Sequence, residues 1–142
     1  MTGRDFARSM RVVARALGRM GRERARSIGS VTPQQADALQ IVAERGVLST
    51  SELARLLGID PSTASRNLTG LERAGLILRK RGSDDGRQTD LHLTSRGKRL
   101  TETISAEWVA ACVSMLERIP RAERTSFAER LDALARLLDP GD

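Results

Sequence analysis

A dense group of hydrogen-bonding side chains lies between positions 62 and 67, where hydroxyl, amide and guanidinium groups follow one another closely. The group consists of Ser62, Thr63, Ser65, Arg66 and Asn67. Short polar side chains and one arginine in the first two turns of a helix can reach phosphates and base edges in a major groove. Ser and Thr are equally common at any helix start, because they accept hydrogen bonds from free backbone N–H groups. This group alone therefore leaves a nucleic-acid contact and an ordinary N-cap cluster as even alternatives.

A second group of charged side chains follows in a segment with strand-like alternation. Residues 76–81 run from apolar into basic residues, and residues 90–94 alternate polar and apolar side chains after a turn rich in Gly, Asp and Ser. This pattern predicts a β-hairpin. Its basic side chains would be Arg79, Lys80, Arg81 and Arg87. A charged hairpin beside a polar helix fits a wing that follows the DNA backbone or enters a minor groove.

Helix-capping signals predict which elements position these two groups. Ser49 and Glu52 fit a capping box, and Gly58 ends the helix that this box starts. Asp60 then caps a second helix, with Pro61 at its first position. One face of that second helix is apolar, with Ala64, Leu68, Leu71 and Ala74. Two helices joined by a short turn containing Gly predict a helix-turn-helix unit.

The segment around the hairpin resembles a known protein family. Residues 85–97 match the D-x-R…L-T-x-x-G wing signature of MarR-type bacterial transcriptional regulators. Residues 60–66 and 71–77 are similar to that family's recognition helix and its exit, and the length and helix order agree over nearly the whole chain. The resemblance implies a homodimer in which Arg87 enters the minor groove and Asp85 fixes the wing. It also implies that the major groove is faced by Ser62, Thr63, Ser65 and Arg66.

Charge and composition favour a polyanionic partner. The chain has 24 Lys and Arg against 18 Asp and Glu, a formal net charge of +6, and its pI is about 11.0. Between positions 61 and 99 there are 9 basic and 4 acidic residues, whereas positions 100–142 hold 5 basic and 8 acidic residues. The basic excess around the predicted hairpin suits DNA. Aromatic residues make up only 2% of the chain, which argues against the stacking platforms of single-strand binders.

The sequence gives no sign of secretion or membrane insertion. A single cysteine permits no internal disulfide. No apolar run approaches the roughly 18 residues that a membrane span requires. The arginine-rich N-terminus lacks the unbroken apolar core of a signal peptide. We therefore expect a cytoplasmic protein with no membrane partner.

Long amphipathic helices are predicted at both ends of the chain. Residues 5–27 carry an apolar seam at heptad-like spacing, formed by Phe6, Met10, Val13, Leu17 and Met20. The first of two C-terminal helices carries a stripe of Leu100, Ile104, Trp108, Ala111 and Met115. The second, which Pro120 would start, repeats Phe127, Leu131, Leu134 and Leu138. A small winged lobe cannot cover so much apolar surface, so we expect these helices to interlock with a second copy.

These elements predict a mainly α fold with a small β-hairpin wing. The winged helix-turn-helix would occupy residues 32–94, and residues 1–31 and 95–142 would form a helical dimerisation region. The first helix also carries a row of arginines on another face, at Arg8, Arg11, Arg15, Arg19, Arg22 and Arg26. This row is either a solvated helix face, a contact to flanking DNA phosphates or a contact to an anionic effector.

Other reactive side chains do not assemble into a site. Cys112 has no Lys, Arg or His within four residues, so filling the interior explains it better than redox sensing. His92 is the only histidine, which disfavours a metal site. Turn formation explains Asp84 and Asp85 better than a catalytic carboxylate pair does. We expect no enzyme activity, no cofactor and no metal.

The leading hypothesis is a dimeric, sequence-specific regulator of transcription that binds a pseudo-palindrome in double-stranded DNA. It would more often repress, and a small ligand at the junction of the dimer helices with the winged lobe would relieve binding. The sequence identifies neither the ligand nor its pocket. Two alternatives stay open: a non-specific architectural DNA-binding protein, and a winged-helix module that binds another protein.

Overall fold

The structure is a computed structural model that describes residues 1–82 and 89–139. In these ranges, α-helices dominate and three short strands form one sheet. The elements in chain order are α1 (Gly3–Ile28), α2 (Pro33–Arg45), β1 (Leu48–Ser49), α3 (Thr50–Leu57), α4 (Pro61–Arg73), β2 (Ile77–Arg81), β3 (Thr89–Leu93), α5 (Ser95–Glu117), a 3₁₀ turn (Arg121–Glu123) and α6 (Arg124–Leu138). The predicted fold class, mainly α with a small β-hairpin, is confirmed.

Local capping chemistry sets the ends of the helices, as the sequence predicts for α3 and α4. The Thr32 hydroxyl accepts from the backbone N of Gln35 at 3.2 Å, and the Gln35 side chain accepts from the backbone N of Thr32 at 3.0 Å. Ser49 and Glu52 form the same reciprocal pair at the start of α3. Gly58 ends α3 with a φ of 65°, in the left-handed region that a side chain would disfavour.

The three strands form an antiparallel sheet in the order β1-β3-β2. Leu48 pairs with Leu91 across β1 and β3, so the short strand after α2 joins the hairpin. The hairpin register pairs Ile77 with Leu93 and Arg81 with Thr89. The turn predicted between β2 and β3, including Asp84, Asp85 and Arg87, lies at residues 83–88, outside the described residues.

The hydrophobic core lies under α4 and the sheet. Its largest fully buried side chains are Leu39, Val42, Leu53, Leu68, Leu71, Leu76, Ile77, Leu91 and Ile104. The predicted inward face of α4 is confirmed, because Ala64, Leu68 and Leu71 are buried and Ala74 packs against the core. This burial fixes which side of α4 faces solvent.

The hairpin is anchored at its base to the start of α5. The Thr94 hydroxyl accepts from the backbone N of Gly97 at 3.0 Å and donates to the Gly75 carbonyl at 2.6 Å. A Cβ at Gly97 would lie 2.0 Å from the Leu76 carbonyl oxygen. Only glycine permits this close approach, so the strand and the helix are locked together at this point.

The chain divides into two compact units, Met1–Ser105 and Ala106–Asp142. The first holds α1 to α4, the sheet and the beginning of α5. The second holds the rest of α5, the 3₁₀ turn and α6, and none of its described residues, 106–139, is fully buried. Arg124 closes the turn by donating from Nε to the Ile119 carbonyl and from Nη2 to the Glu117 carbonyl, each at 2.9 Å.

The expectation that Pro120 starts the last helix is wrong by one turn. Pro120 precedes the 3₁₀ turn, and the α-helical hydrogen bonding begins only at Arg124. The predicted stripe on α5 is also divided between two environments. Ile104 is fully buried in the core of the first unit, whereas Met115, in the second unit, is exposed.

The apolar seams of the terminal helices are largely uncovered in a single chain. Val13 on α1 is 49% exposed and Leu131 on α6 is 54% exposed, although both sit at seam positions that the sequence predicts to be covered. Within the described residues, no helix is both long enough and apolar enough to cross a bilayer.

Candidate nucleic-acid interface

Asp60 organises the N-terminal tip of α4. Its carboxylate accepts from the backbone N of Thr63 at 2.9 Å and from the Thr63 hydroxyl at 2.7 Å, and the Ser62 hydroxyl also donates to it. The hydrogen bond from Ser62, together with the smaller contribution of the bonds from Thr63, holds the pKa of the Asp60 carboxyl well below its ordinary value. Both hydroxyls therefore have fixed orientations, and their unused lone pairs can accept from a ligand.

Arg66 extends this network along the exposed side of α4. One of its terminal nitrogens, Nη2, donates to the Thr63 hydroxyl at 3.1 Å. This bond uses one of five guanidinium donors, so the others stay available for a phosphate or for a guanine edge. Ser62 and Arg66 are exposed, and Thr63 and Ser65 are half-buried. The sequence-predicted group thus comes together on one helix tip.

Asn67 takes a different position from its predicted neighbours. It is half-buried, and its side-chain nitrogen donates to the Gln34 side-chain oxygen at 2.5 Å, which joins α4 to α2. The same two helices approach closely at Gly70, where a Cβ would lie 2.6 Å from the Gln35 side-chain nitrogen. A DNA contact by Asn67 stays a prediction. The contact that the structure gives it is one that orients α4.

Arg79 of β2 also turns toward α4. Its Nη2 donates to the Ser65 carbonyl and to the Thr69 hydroxyl, each at 3.1 Å. Its Nε lies 3.4 Å from the Glu72 carboxylate, and the Arg79 side chain is only 24% exposed. The guanidinium therefore holds the hairpin against the recognition helix, while a direct DNA contact by Arg79 stays a prediction.

The two remaining cations of β2 form no hydrogen bond or ion pair with another side chain among residues 1–82 and 89–139. Lys80 and Arg81 are exposed, and they pair in register with Asp90 and Thr89 of β3. Alternation along the strand puts Lys80 on the opposite face of β2 from Arg79. Arg81 shares the face of Arg79 but lies two residues further along the strand. Asp85 and Arg87, for which the family resemblance implies wing roles, lie outside the described residues, and these roles stay predictions.

A shallow groove of about 530 Å³ runs along the exposed side of α4. It is lined by Ser62, Ser65, Arg66, Thr69, Gly70 and Arg73. Arg73 was not among the residues predicted from sequence. Its spacing of seven from Arg66 puts both guanidiniums on one helix face, which was the available signal. We name this groove together with Thr63, Lys80 and Arg81 the α4–hairpin surface.

Other chemistry is not assembled in the part of the chain that the structure describes. Across residues 1–82 and 89–139, no three His, Cys, Asp or Glu side chains lie close enough together to hold a metal ion. Cys112 is a free, half-buried thiol on α5. His92 lies on β3 opposite Leu78. Neither residue belongs to the α4–hairpin surface.

A family model and two curated relatives that match this chain all describe bacterial transcriptional regulators. A family model described as MarR family matches residues 31–89, the segment from the start of α2 to the start of β3. The chain is 33% identical over 110 residues to the HTH-type transcriptional regulator FarR of Neisseria gonorrhoeae, which covers 78% of this chain and 75% of that protein. It is 30% identical over 96 residues to an HTH-type transcriptional repressor of Mycobacterium tuberculosis, covering 68% of this chain and 69% of the other.

A solved structure matches nearly the whole chain. A MarR family protein from Bacillus stearothermophilus superposes with a TM-score of 0.85 at 27% sequence identity, covering 97% of this chain and 98% of that one. Both the winged helix-turn-helix and the terminal helices therefore have counterparts in one known fold.

Proposed function

Because the chain belongs to the MarR family of transcriptional regulators, we propose that it works as a homodimer that recognises a pseudo-palindromic operator in double-stranded DNA. The chain is a DNA-binding transcriptional regulator, in keeping with the family match and with relatives described as HTH-type regulators and repressors. The observation that carries the proposal of operator recognition is the ordered tip of α4. There Asp60 orients the Thr63 hydroxyl, and that hydroxyl in turn accepts a hydrogen bond from the Arg66 guanidinium.

The α4 tip supplies sequence recognition. Ser62, Thr63, Ser65 and Arg66 meet base edges and phosphates in a major groove, and the positive end of the helix dipole favours the phosphates. Lys80 and Arg81 lie on the strand that leads to the hairpin turn, so they contact the DNA backbone next to the groove. Arg87 in that turn enters the minor groove, as the family resemblance implies. Asn67 and Arg79 orient α4 through Gln34 and Ser65.

Exposed apolar side chains support a dimer. On α1 they include Phe6, Val13 and Leu17, and on α6 they include Phe127, Leu131 and Leu138. In aqueous solution, apolar rows at helical spacing are usually buried against another helix. Residues 1–31 and 95–142 would form that interface, and residues 32–94 would form the DNA-binding lobe. Two recognition helices about 34 Å apart would then enter successive major grooves on one side of the duplex.

A small anionic effector is supported by a cavity in the first unit. The cavity has a volume of about 280 Å³ and is lined by Ser30, Leu76, Arg96, Arg99, Leu100 and Thr103. Two guanidiniums and two hydroxyls around such a space suit a carboxylate or a phosphate. Leu76 leads from α4 into the hairpin, and its carbonyl accepts from Thr94 at 3.1 Å. A ligand there would shift the base of the hairpin and so change DNA affinity, which fits repression relieved by a ligand.

Genomic footprinting of the purified protein tests operator recognition, and would be followed by competition between the footprinted duplex and a scrambled duplex of equal length. We expect at least 10³-fold preference for the operator, the lower end of the usual range. Equal affinity for both duplexes would instead support the architectural alternative. A failure to bind any genomic fragment at low salt would favour the protein-interaction module. We also propose a cytoplasmic location, since a regulator that binds bacterial DNA acts in the cytoplasm.

A further inference from the structure

The first helix carries as much net positive charge as the whole chain. Helix α1 (Gly3–Ile28) contains eight arginines and only two acids, Asp5 and Glu23, a net charge of +6. The remaining residues hold sixteen basic and sixteen acidic side chains, so they sum to zero. The basic excess near α4 and the hairpin is offset elsewhere in the chain. The positive charge on α1 is not balanced by acidic residues on the same helix.

Seven of these arginines form one straight stripe. Arg4 extends the row of six by a further step of four, and all seven side chains are exposed. At about 100° per residue, the spacing confines them to an arc of roughly 80°. At about 1.5 Å per residue, they extend over roughly 33 Å. The apolar seam with Phe6, Val13 and Leu17 lies on the opposite side of the helix. We name these seven residues the arginine stripe.

The arginine stripe forms no ion pair within the described chain. Across residues 1–82 and 89–139, none of its guanidiniums forms an ion pair or a hydrogen bond with another side chain. Asp5 lies off the stripe, and its carboxylate accepts from Thr2. Like charges three or four residues apart destabilise a helix. The stripe therefore costs helix stability in the isolated chain, and a bound polyanion would relieve that cost.

We infer that the arginine stripe is a second, sequence-independent contact surface for the phosphate backbone of duplex DNA, in addition to the α4–hairpin surface. A duplex carries one charge per roughly 1.7 Å, so about 20 phosphate charges extend along 33 Å. The stripe is also about as long as one turn of B-DNA, roughly 34 Å. Guanidinium groups bind phosphate oxygens in a bidentate manner. Because the seven guanidiniums have no internal partner among the described residues, they can move to meet the phosphates of a duplex of any base sequence.

An anionic membrane is the competing partner for a basic amphipathic helix. Membrane binding requires the apolar face of the helix to enter the lipid. In the proposed dimer that face is covered by the second copy, which leaves only the stripe accessible. The preference for DNA over lipid therefore rests on the dimer, and the oligomeric state is measured separately by sedimentation.

The test compares two full-length triple variants that lose the same charge. Arg11→Gln, Arg15→Gln and Arg19→Gln remove the middle of the stripe, whereas Arg118→Gln, Arg121→Gln and Arg130→Gln remove exposed charge from the second unit. Glutamine retains good helix propensity, and circular dichroism checks that both variants stay folded. The affinity of each protein for a duplex of random sequence is measured by fluorescence anisotropy between 50 and 200 mM salt.

If three phosphate contacts are lost, the slope of log affinity against log salt becomes shallower by about 2.7. Over this fourfold salt range, the wild-type affinity should then fall roughly 40-fold more than that of the stripe variant. The second-unit variant should keep the wild-type slope, and Arg-to-Lys changes at positions 11, 15 and 19 should restore most of it.

Equal slopes for all variants, or an equal loss in both glutamine variants, would overturn the inference. The stripe variant could lose binding to vesicles containing anionic lipid and still keep the wild-type salt dependence of DNA affinity. That result would overturn the inference in favour of a membrane partner. A monomeric protein whose stripe variant still shows the shallower slope would contradict the dimer and leave the stripe inference standing.

Discussion

Two cationic surfaces of the first unit differ in how their charges are held. On the α4–hairpin surface, Arg66 bonds to Thr63, and the neighbouring Arg79 bonds to the carbonyl of Ser65. On the arginine stripe, the seven guanidiniums have no partner among the described residues. The first surface therefore has a defined hydrogen-bonding geometry, whereas the second has charge without a fixed geometry.

This difference fits the two kinds of DNA contact proposed for the two surfaces. Base discrimination needs donors and acceptors held at set positions, because a misplaced group leaves a base edge unpaired. Phosphate attraction needs only charge near the backbone, and it weakens with salt in proportion to the contacts made. We expect changes on the α4–hairpin surface to alter sequence preference and changes on the stripe to alter salt dependence.

The largest expected effect removes the support of the α4–hairpin surface without touching the stripe. Leu68 is fully buried beneath α4, so Leu68→Ala should lower the free energy of unfolding by about 2–5 kcal/mol. Operator binding should weaken with it, because α4 loses its platform. Urea unfolding measures the stability change. Val47→Ala, at a side chain that is 54% exposed, is the control and should stay within about 0.5 kcal/mol of wild type. Equal stability of the two variants would contradict the core assignment.

The next effect separates specificity from charge. Arg66→Ala should lower operator affinity by about 10- to 100-fold, because a bidentate base contact is worth roughly 1–3 kcal/mol of discrimination. Affinity for a scrambled duplex should fall much less. Arg118→Ala removes the same charge from the second unit and should leave the ratio of the two affinities unchanged. An equal fall on both duplexes would assign Arg66 to phosphate contact alone.

A smaller effect distinguishes two neighbouring cations of β2. Arg79→Gln should lower the free energy of unfolding by about 1–2 kcal/mol, because hydrogen bonds from a charged donor to Ser65 and Thr69 are lost. Lys80→Gln should leave stability nearly unchanged and weaken DNA binding instead. Thermal unfolding and DNA titration of both variants measure the difference. Lys80→Gln destabilising the protein as much as Arg79→Gln would reject the proposed division of roles.

The smallest effect concerns the carboxylate that orders the α4 tip. Folding lowers the pKa of Asp60, so its contribution to stability is complete above the unfolded value, near 3.8, and disappears as the pH falls through the lower folded value. The wild type should therefore lose more stability between pH 5 and pH 2 than Asp60→Asn, which still caps the helix but does not titrate. Parallel acid-unfolding curves for the two proteins would contradict this role.

Local chemistry made much of this fold predictable from the sequence. Ser49 and Glu52, which form the capping box of α3, lie three residues apart, so no distant contact is needed to recognise the pair. The placement of Ser62, Thr63 and Arg66 at the tip of α4 follows from the Asp60 cap in the same way, while their role in DNA recognition stays a prediction. The 3₁₀ turn after Pro120 was missed because proline fits the first position of either helix type.

What could not be read from the sequence depends on distant pairings. Arg79 was grouped with Lys80 and Arg81 as a DNA contact because the three are consecutive and equally charged. Strand alternation separates Arg79 from Lys80, whereas Arg81 shares the face of Arg79 and differs from it only in its place along the strand. The sequence groups Asn67 with its neighbours on α4, but its partner Gln34 lies thirty-three positions earlier in the chain. Arg73 joined the groove because the core fixes the rotation of α4.

The sequence by itself determined the helix ends apart from the start of α6, the amphipathic faces, the position of the hairpin and the arginine stripe. Each of these depends on residues less than about two turns apart, where spacing and backbone geometry are sufficient. The tertiary structure decided which polar side chains are anchored and which are free. That outcome is set by the packing of α4 on α2 and on the hairpin, which brings Arg79 to Ser65 and Asn67 to Gln34.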